Sequence, residues 1–205
     1  MKHRVLDFIL LLAVLIGGVL AWQGGRERGR LSETHRRLAQ VTGDLPIADP
    51  TKVHVLALET GEPLHFAWRV YFPRNSTLIL TDNIGGQATR WSIDPEEFIA
   101  RVRIREDGKG GLEIYSHFSG GSSRGGFGTK TLADLLRGRW DEVRVEQLGA
   151  GGVAAFDPGR PMVLLKLTLP ETMRDEARRE LDPFQVERHI PFLLKMQLGP
   201  TAPKP

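Results

Sequence analysis

One short segment carries the spacing of a catalytic nucleophile. The run from Gly121 to Gly125 reads G-S-S-R-G and fits the pattern G-x-S-x-G, whose serine needs a tight turn between a strand and a helix. Asp157 or Asp175 and then His189 follow in the chain order of hydrolase triads. More glycines follow the serines, however, and the surrounding pattern predicts no parallel α/β sheet. A flexible Gly/Ser loop is therefore favoured, and a serine hydrolase using Ser123 is kept as an alternative function.

Phosphate, metal and thiol chemistry find little support in the sequence. The P-loop pattern fails because Thr129 separates Gly128 from Lys130. The six histidines include no pair four residues apart, and the chain has no cysteine. We therefore predict no catalytic residues, no metal site and no cofactor, and we expect a protein that is not an enzyme.

Three arginines at alternate positions are the strongest candidate for a binding surface. Arg101, Arg103 and Arg105 fall on one face of a predicted strand, and Arg69 and Arg90 are candidates to extend it. Such a face suits an acidic polysaccharide, lipid headgroups or an acidic partner protein. The alternative is a solvated outer face with weak ion pairs, because Glu113 is predicted to lie opposite one arginine.

The position of the basic charge argues against nucleic acid as a partner. The net charge is +3, but residues 1–40 hold seven lysines and arginines against three acidic residues. The remainder of the chain is slightly acidic, so it cannot neutralise many phosphates. The basic pI therefore reflects the flanks of the N-terminal apolar segment.

That segment, Phe8 to Trp22, is uncharged and predicts a membrane-directing helix. Counted from Val5 it would span about 27 Å, slightly short of a bilayer core of about 30 Å. We favour an uncleaved signal anchor over a signal peptide cut after Ala21, because no polar stretch precedes the possible cleavage site. The expected location is the cell membrane, single-pass, with an extracytoplasmic domain. The lysines and arginines counted on either side of the segment favour the opposite orientation.

Small residues recur every fourth position within the apolar segment. Ala13, Gly17 and Ala21 would let two membrane helices approach closely, and Leu31, Leu38 and Leu45 follow at heptad spacing. Together they predict a homodimer through a short coiled coil, although two heptads are few. The alternative is a helix that packs its leucines on its own domain.

From Thr51 onward the pattern predicts β-structure. Apolar residues alternate from Leu64 to Phe72, which predicts a central strand. Phe98 to Glu106 and Leu112 to Phe118 flank a turn and predict a hairpin symmetric about Lys109, with its arginines facing outward.

The fold class predicted from these elements is α+β. It is mainly antiparallel β, sandwich-like, with one or two short helices, and it is preceded by a transmembrane helix and a short helical stalk. The helices fall at Thr131 to Gly138, with Thr131 as N-cap, and at Glu171 to Leu181. The predicted order is a transmembrane helix or signal peptide (1–25), a stalk (26–42), a linker (43–51), a β-rich domain (52–200) and a disordered tail (201–205).

Two stretches of the sequence resemble a known group of proteins. The run from Arg30 to Leu45, and Phe66 to Tyr71 with the sequence F-A-W-R-V-Y, are similar to uncharacterised, N-terminally anchored planctomycete proteins. The resemblance covers most of the chain and implies a membrane-tethered domain. It implies no activity and no catalytic residues.

The sequence as a whole favours a non-enzymatic, membrane-tethered interaction or scaffold module. Its expected partners are the membrane, a second copy of the chain and an unknown protein or anionic ligand.

Overall fold

A computed structural model of the chain describes residues 17, 18, 22, 38, 40–119, 121–190 and 192–199, with the backbone alone at residue 91. The chain divides into two compact units, Met1–Thr42 and Gly43–Pro205.

In the first unit, every described residue is helical. No helix within the described residues has the length and apolar character needed to cross a bilayer. Most of the predicted membrane segment lies outside the described residues, as do Ala13 and Ala21 of the small-residue stripe. The stripe's third member, Gly17, is exposed, and a Cβ atom added there would meet open space.

The heptad prediction is wrong at its last leucine. Leu45 does not lie in a helix, because the helical residues end at Thr42 and Gly43 adopts a left-handed φ of 72°. The earlier leucine Leu31 lies outside the described residues.

The second unit contains eleven described strands. They are β1 Val53–Leu58, β2 His65–Phe72, β3 Ser76–Asp82, β4 Gln87–Ser92, β5 Glu96–Glu106, β6 Leu112–Phe118, β7 Gly121–Gly128, β8 Arg144–Gln147, β9 Ala154–Phe156, β10 Met162–Thr168 and β11 Phe192–Leu198. One sheet has the order β7-β6-β5-β2-β1-β9 and the other the order β4-β3-β11-β10-β8. Neighbouring strands are antiparallel throughout both sheets, which confirms the mainly antiparallel α+β prediction.

Three short helices join these strands: α1 Lys130–Leu136, α2 Glu171–Glu180 and α3 Pro183–His189. The predicted N-cap Thr131 is wrong, because Thr129 Oγ1 accepts the hydrogen bond from the Leu132 amide at 3.4 Å. Helix α3 is absent from the sequence prediction, although Asp182 caps it and Pro183 occupies its first turn.

A single apolar core contains side chains from both sheets and from helices α1 and α2, and Val186 of α3 packs against it. As the alternation predicts, the inward face of β2 is buried, and Trp68 donates its indole N–H to the Leu148 carbonyl at 3.0 Å. The segment predicted as a linker lies along the outward face of β1 and β2. The Arg69 guanidinium donates to the Gly43 carbonyl at 2.6 Å, and the Tyr71 hydroxyl donates to the Pro50 carbonyl at 3.1 Å.

The predicted hairpin register is confirmed from Arg101 to Arg105. Ile104 lies opposite Ile114, and Arg105 lies opposite Glu113. The flexible-loop interpretation of 120–128 is wrong, because residues 121–128 form β7 and pair with β6. This strand places Ser122 and Ser123 on opposite faces of the sheet.

Candidate functional site

Polar and charged side chains of three neighbouring strands lie together on the outward face of β5, β6 and β7. We call this surface the arginine face and define it by eight side chains. They are Arg101, Arg103 and Arg105 of β5, Glu113, Tyr115 and His117 of β6, and Ser122 and Arg124 of β7. The arginines point outward because Ala100, Val102 and Ile104 alternate with them and are buried in the core. This confirms the outward orientation predicted from the sequence.

At one end of the face, a carboxylate is held between two arginines. Glu113 has only 7% of its side chain exposed, and it ion-pairs with Arg105 on one side and Arg124 on the other. The Nε of Arg124 donates to Glu113 Oε2 at 2.7 Å. Burial raises the pKa of Glu113, but the hydrogen bonds and charges of the two arginines outweigh it, so the pKa lies below its ordinary value. Glu113 is therefore a fixed anion that orients both guanidinium groups.

In the middle of the face, an aromatic ring lies between two arginines. Tyr115 is directly opposite Arg103 on one neighbouring strand and Arg124 on the other. Tyr115 is 38% exposed, and its hydroxyl donates to Ser122 Oγ at 2.9 Å. Arg103 is half-exposed and ion-pairs with Glu62 at 2.9 Å. This row presents two guanidinium groups and an aromatic ring to solvent.

At the other end, Arg101 lies opposite His117, which in turn lies opposite Ser122. The Nδ1 of His117 is 2.9 Å from Ser122 Oγ. Arg101 is exposed and makes no ion pair with any residue that the structure describes. It is the arginine of this face whose charge is left uncompensated.

The two additional arginines suggested by the sequence do not extend this face. Arg69 is on the same sheet, but it is occupied by the Gly43 carbonyl and by Glu97 at 3.3 Å. Arg90 belongs to β4 of the other sheet and forms a bidentate pair with Glu96 at 2.8 to 3.1 Å.

The residues of the hydrolase hypothesis are not brought together. Ser123 Oγ lies 2.7 Å from Ser116 Oγ, and no histidine or carboxylate among the described residues is hydrogen-bonded to it. His189 is fully buried in α3, with its Nδ1 3.2 Å from the Leu193 carbonyl. Asp175 pairs with Arg178 at 2.7 Å. A nucleophile, a base and an orienting acid therefore do not converge on Ser123.

Potential metal ligands are also dispersed. Within the described part of the chain, no group of three or more histidine, aspartate and glutamate side chains is placed to hold a metal ion. His54 illustrates the pattern, because its Nε2 is 2.7 Å from the Asp49 carbonyl and serves to fix the segment before β1.

Sequence reasoning missed Arg124 and Ser122 as members of the face, because the pattern of residues 120–128 indicates a loop. Tyr115 and His117 follow directly from the predicted hairpin register. Arg124 lies two residues after Ser122, so in a β-strand both side chains lie on the same face of the sheet. This spacing is the sequence feature that would have identified Arg124.

Comparison with known protein families, with curated proteins and with solved structures finds no match to this chain.

Proposed function

We propose that this protein is a non-enzymatic, membrane-tethered interaction module that binds a carboxylate-bearing polymer on its arginine face. The observation that carries the proposal is the excess of positive charge at that face. Four guanidinium groups are accompanied by two carboxylates, Glu62 and Glu113, and Arg101 is left without an acidic partner among the described residues.

The layout of the face suits an extended ligand better than a single ion. Neighbouring strands lie about 4.8 Å apart, so Arg103 and Arg124 are separated by roughly 10 Å with Tyr115 between them. A polymer lying across the strands would meet a charge, a ring and a second charge in turn. Arginine binds carboxylates through paired hydrogen bonds, and Tyr115 adds apolar contact area.

The face is also prearranged for binding. Glu113 holds Arg105 and Arg124 in place from below, because it is buried while both arginine side chains are at least half exposed. Fewer side-chain rotations then need to be lost when a ligand binds. The arrangement favours binding over catalysis: His117 Nδ1 lies 2.9 Å from Ser122 Oγ, but no carboxylate among the described residues is hydrogen-bonded to His117 to complete a triad.

The membrane tether is supported by the sequence of residues 8–22, which is uncharged and preceded by Lys2 and Arg4. A tether would concentrate the arginine face at one surface and strengthen the binding of a polymer that contacts several copies.

Retention on immobilised polygalacturonate tests this function. The full chain, purified in a neutral detergent, is expected to bind the matrix at low ionic strength and to elute as salt is raised, because surface charge pairs are screened. Passage of the chain through this matrix at low salt would contradict the proposal. Vesicles containing phosphatidylglycerol provide the lipid comparison, and stronger retention by vesicles than by the polymer would also contradict it.

A further inference from the structure

One edge of strand β7 is unpaired within the described part of the chain, and we call it the free edge. Strand β7 is the outermost strand of the six-stranded sheet and pairs only with β6 among the described residues. It spans eight residues, whereas the other edge strands β9, β8 and β4 have three, four and six. A long unpaired edge offers a row of backbone donors and acceptors.

The pattern of backbone hydrogen bonds shows which residues of β7 direct their N–H and C=O groups toward the free edge. The Asp107 amide donates to the Gly111 carbonyl at 2.8 Å, so these two residues form a hydrogen-bonded pair. Hydrogen-bonded and non-hydrogen-bonded pairs alternate along antiparallel strands, so every second pair of β5 and β6 counted from this one also exchanges backbone hydrogen bonds. By this alternation Glu113, Tyr115 and His117 direct their backbone groups toward β5, and Ile114 and Ser116 direct theirs toward β7.

It follows that Ser123 and Gly125, which lie opposite Ser116 and Ile114, are hydrogen-bonded to β6. The N–H and C=O groups of Ser122, Arg124 and Gly126 then point to the free edge. All three residues are exposed, and no described residue hydrogen-bonds to their backbone from outside the strand.

Residues 121–126 of this edge lack most of the usual protection against strand addition, since the bulge opposite Leu112 and Glu113 lies beyond Gly126. Residues 121–126 contain no lysine and no proline, and Arg124 is the only charged side chain in β7. Glycines occupy half of the strand, so a second backbone can approach without meeting bulky side chains.

A polar cleft lies beside the edge on the inward side of the sheet. Its volume is about 410 Å³, and it separates β7 and the end of β6 from β4. Ser123 and Ser116 line one wall, and Thr89 and Arg90 line the other. Hydroxyl, amide and guanidinium groups line this region together with Phe118 and Ala88.

We propose that β7 accepts an extended acidic segment of a partner protein as an added strand. In such a complex, backbone hydrogen bonds to Ser122, Arg124 and Gly126 supply affinity, and alternate side chains supply specificity. On the outward side of the sheet, side chains of the added strand contact Arg124 and the arginine face, which favours Asp or Glu at those positions. On the inward side, side chains of the added strand enter the cleft, which accepts small polar groups. The inference rests on the proposed function for the anionic character of the ligand, and it assigns that ligand to the polypeptides.

A second copy of the chain is a poorer occupant of this edge. Two β7 strands paired about a two-fold axis would bring Arg124 close to its own copy, and like charges facing each other across strands are destabilising. An acidic segment opposite Arg124 removes this repulsion.

The test is a selection of random twelve-residue peptides on the full chain in neutral detergent. We expect enriched peptides with acidic residues at alternate positions, and protection of the amides in residues 122–126 from hydrogen exchange when the peptides bind. Gly126→Pro removes the backbone N–H of residue 126, which points to the free edge, and should weaken peptide binding at least tenfold. Gly126→Ala keeps this N–H and places its methyl group in open space, so it should bind within about twofold of the native chain.

Several results would overturn the inference. These are peptides that bind equally to both Gly126 variants, peptides without alternate acidic residues, no enriched peptide, or amide protection that appears with chain concentration alone. If Gly126→Pro fails to fold, amide protection in the native chain decides the question. Polygalacturonate has no backbone amides, so its binding reports on the arginine face alone and separates a failure of this inference from a failure of the proposed function.

Discussion

The carboxylate of Glu113 accepts a hydrogen bond from the Nε of Arg124 at 2.7 Å, across the boundary between β6 and β7. Glu113 is the buried partner and Arg124 the exposed one, with 7% and 63% of their side chains accessible. A pair of this kind fixes the guanidinium from beneath while leaving its outer edge available to a ligand. It also links the arginine face to the strand that carries the free edge.

Removing this carboxylate should strengthen polymer binding. In Glu113→Gln, the side chain keeps its size and one oxygen that can accept a hydrogen bond from an arginine, so part of the prearrangement remains, but it loses the charge that competes with the ligand for Arg105 and Arg124. We expect the affinity for polygalacturonate to rise about two- to fivefold at low salt, in the range of one exposed charge pair. Fluorescence anisotropy with a labelled oligomer measures the change. Weaker binding by a folded variant would contradict this prediction, because the orienting effect of Glu113 on the two arginines would then outweigh its competition with the ligand.

The same residue should make stability depend on acid. The pKa of Glu113 in the folded protein lies below its ordinary value of 4.5, because the arginine hydrogen bonds outweigh the effect of burial. Its stabilising contribution is therefore present above about pH 4.5 and is lost as the pH falls through the lowered pKa. We expect the fall in melting temperature between pH 5 and pH 3 to be smaller in Glu113→Gln than in the native chain. Identical falls would argue against the pairing.

His189 should produce a second pH dependence at higher pH. Burial lowers its pKa, Arg188 lowers it further, and the hydrogen bond with the Leu193 carbonyl only partly opposes them. The stabilising contribution is present above the ordinary pKa of about 6.5 and is lost as the pH falls below it, because the unfolded chain binds the proton more readily. Urea unfolding at pH 7.5 and 5.5 should therefore show a loss of stability that His189→Gln reduces. An equal loss in the variant would contradict this assignment.

Gly149 should be intolerant of any side chain. Its φ is 82°, and a Cβ atom would lie 2.7 Å from the Ala57 amide nitrogen and 2.9 Å from the Val55 carbonyl oxygen. Because these contacts are with backbone, Gly149→Ala should cost at least about 2 kcal/mol in the free energy of unfolding. Gly151→Ala, whose methyl group meets open space, is the matched control and should change it by less than about 0.5 kcal/mol. Equal stability of the two variants would contradict the packing around Gly149.

The sequence predicts those parts of the fold in which local signals agree. The hairpin register follows from a turn centred on Lys109 and from apolar residues at alternate positions, and Arg105 opposite Glu113 is its direct consequence. Strand β7 could not be predicted in the same way, because its glycines and serines carry little β-propensity. Its pairing with β6 depends on tertiary structure, including a register shift between Leu112 and Glu113.

The candidate site shows the same division. The three arginines of β5 could be assigned to one face because they share a strand and its period of two. Arg124 could not be assigned until its segment was known to be a strand. Arg90, a candidate to extend the face, could not be placed from the sequence, because its position depends on which of the two sheets holds β4.

The most direct test of the account is the affinity of the full chain for polygalacturonate oligomers before and after charge reversal on the arginine face. Arg101→Glu combined with Arg103→Glu should weaken binding at least about tenfold, because it replaces two attractive charges with two repulsive ones. The control combines Arg160→Glu with Arg179→Glu, two exposed arginines outside this face, and produces the same change in net charge. We predict that the control binds within about twofold of the native chain. Equal weakening by both pairs would contradict the claim, since binding would then depend on overall charge and not on the arginine face.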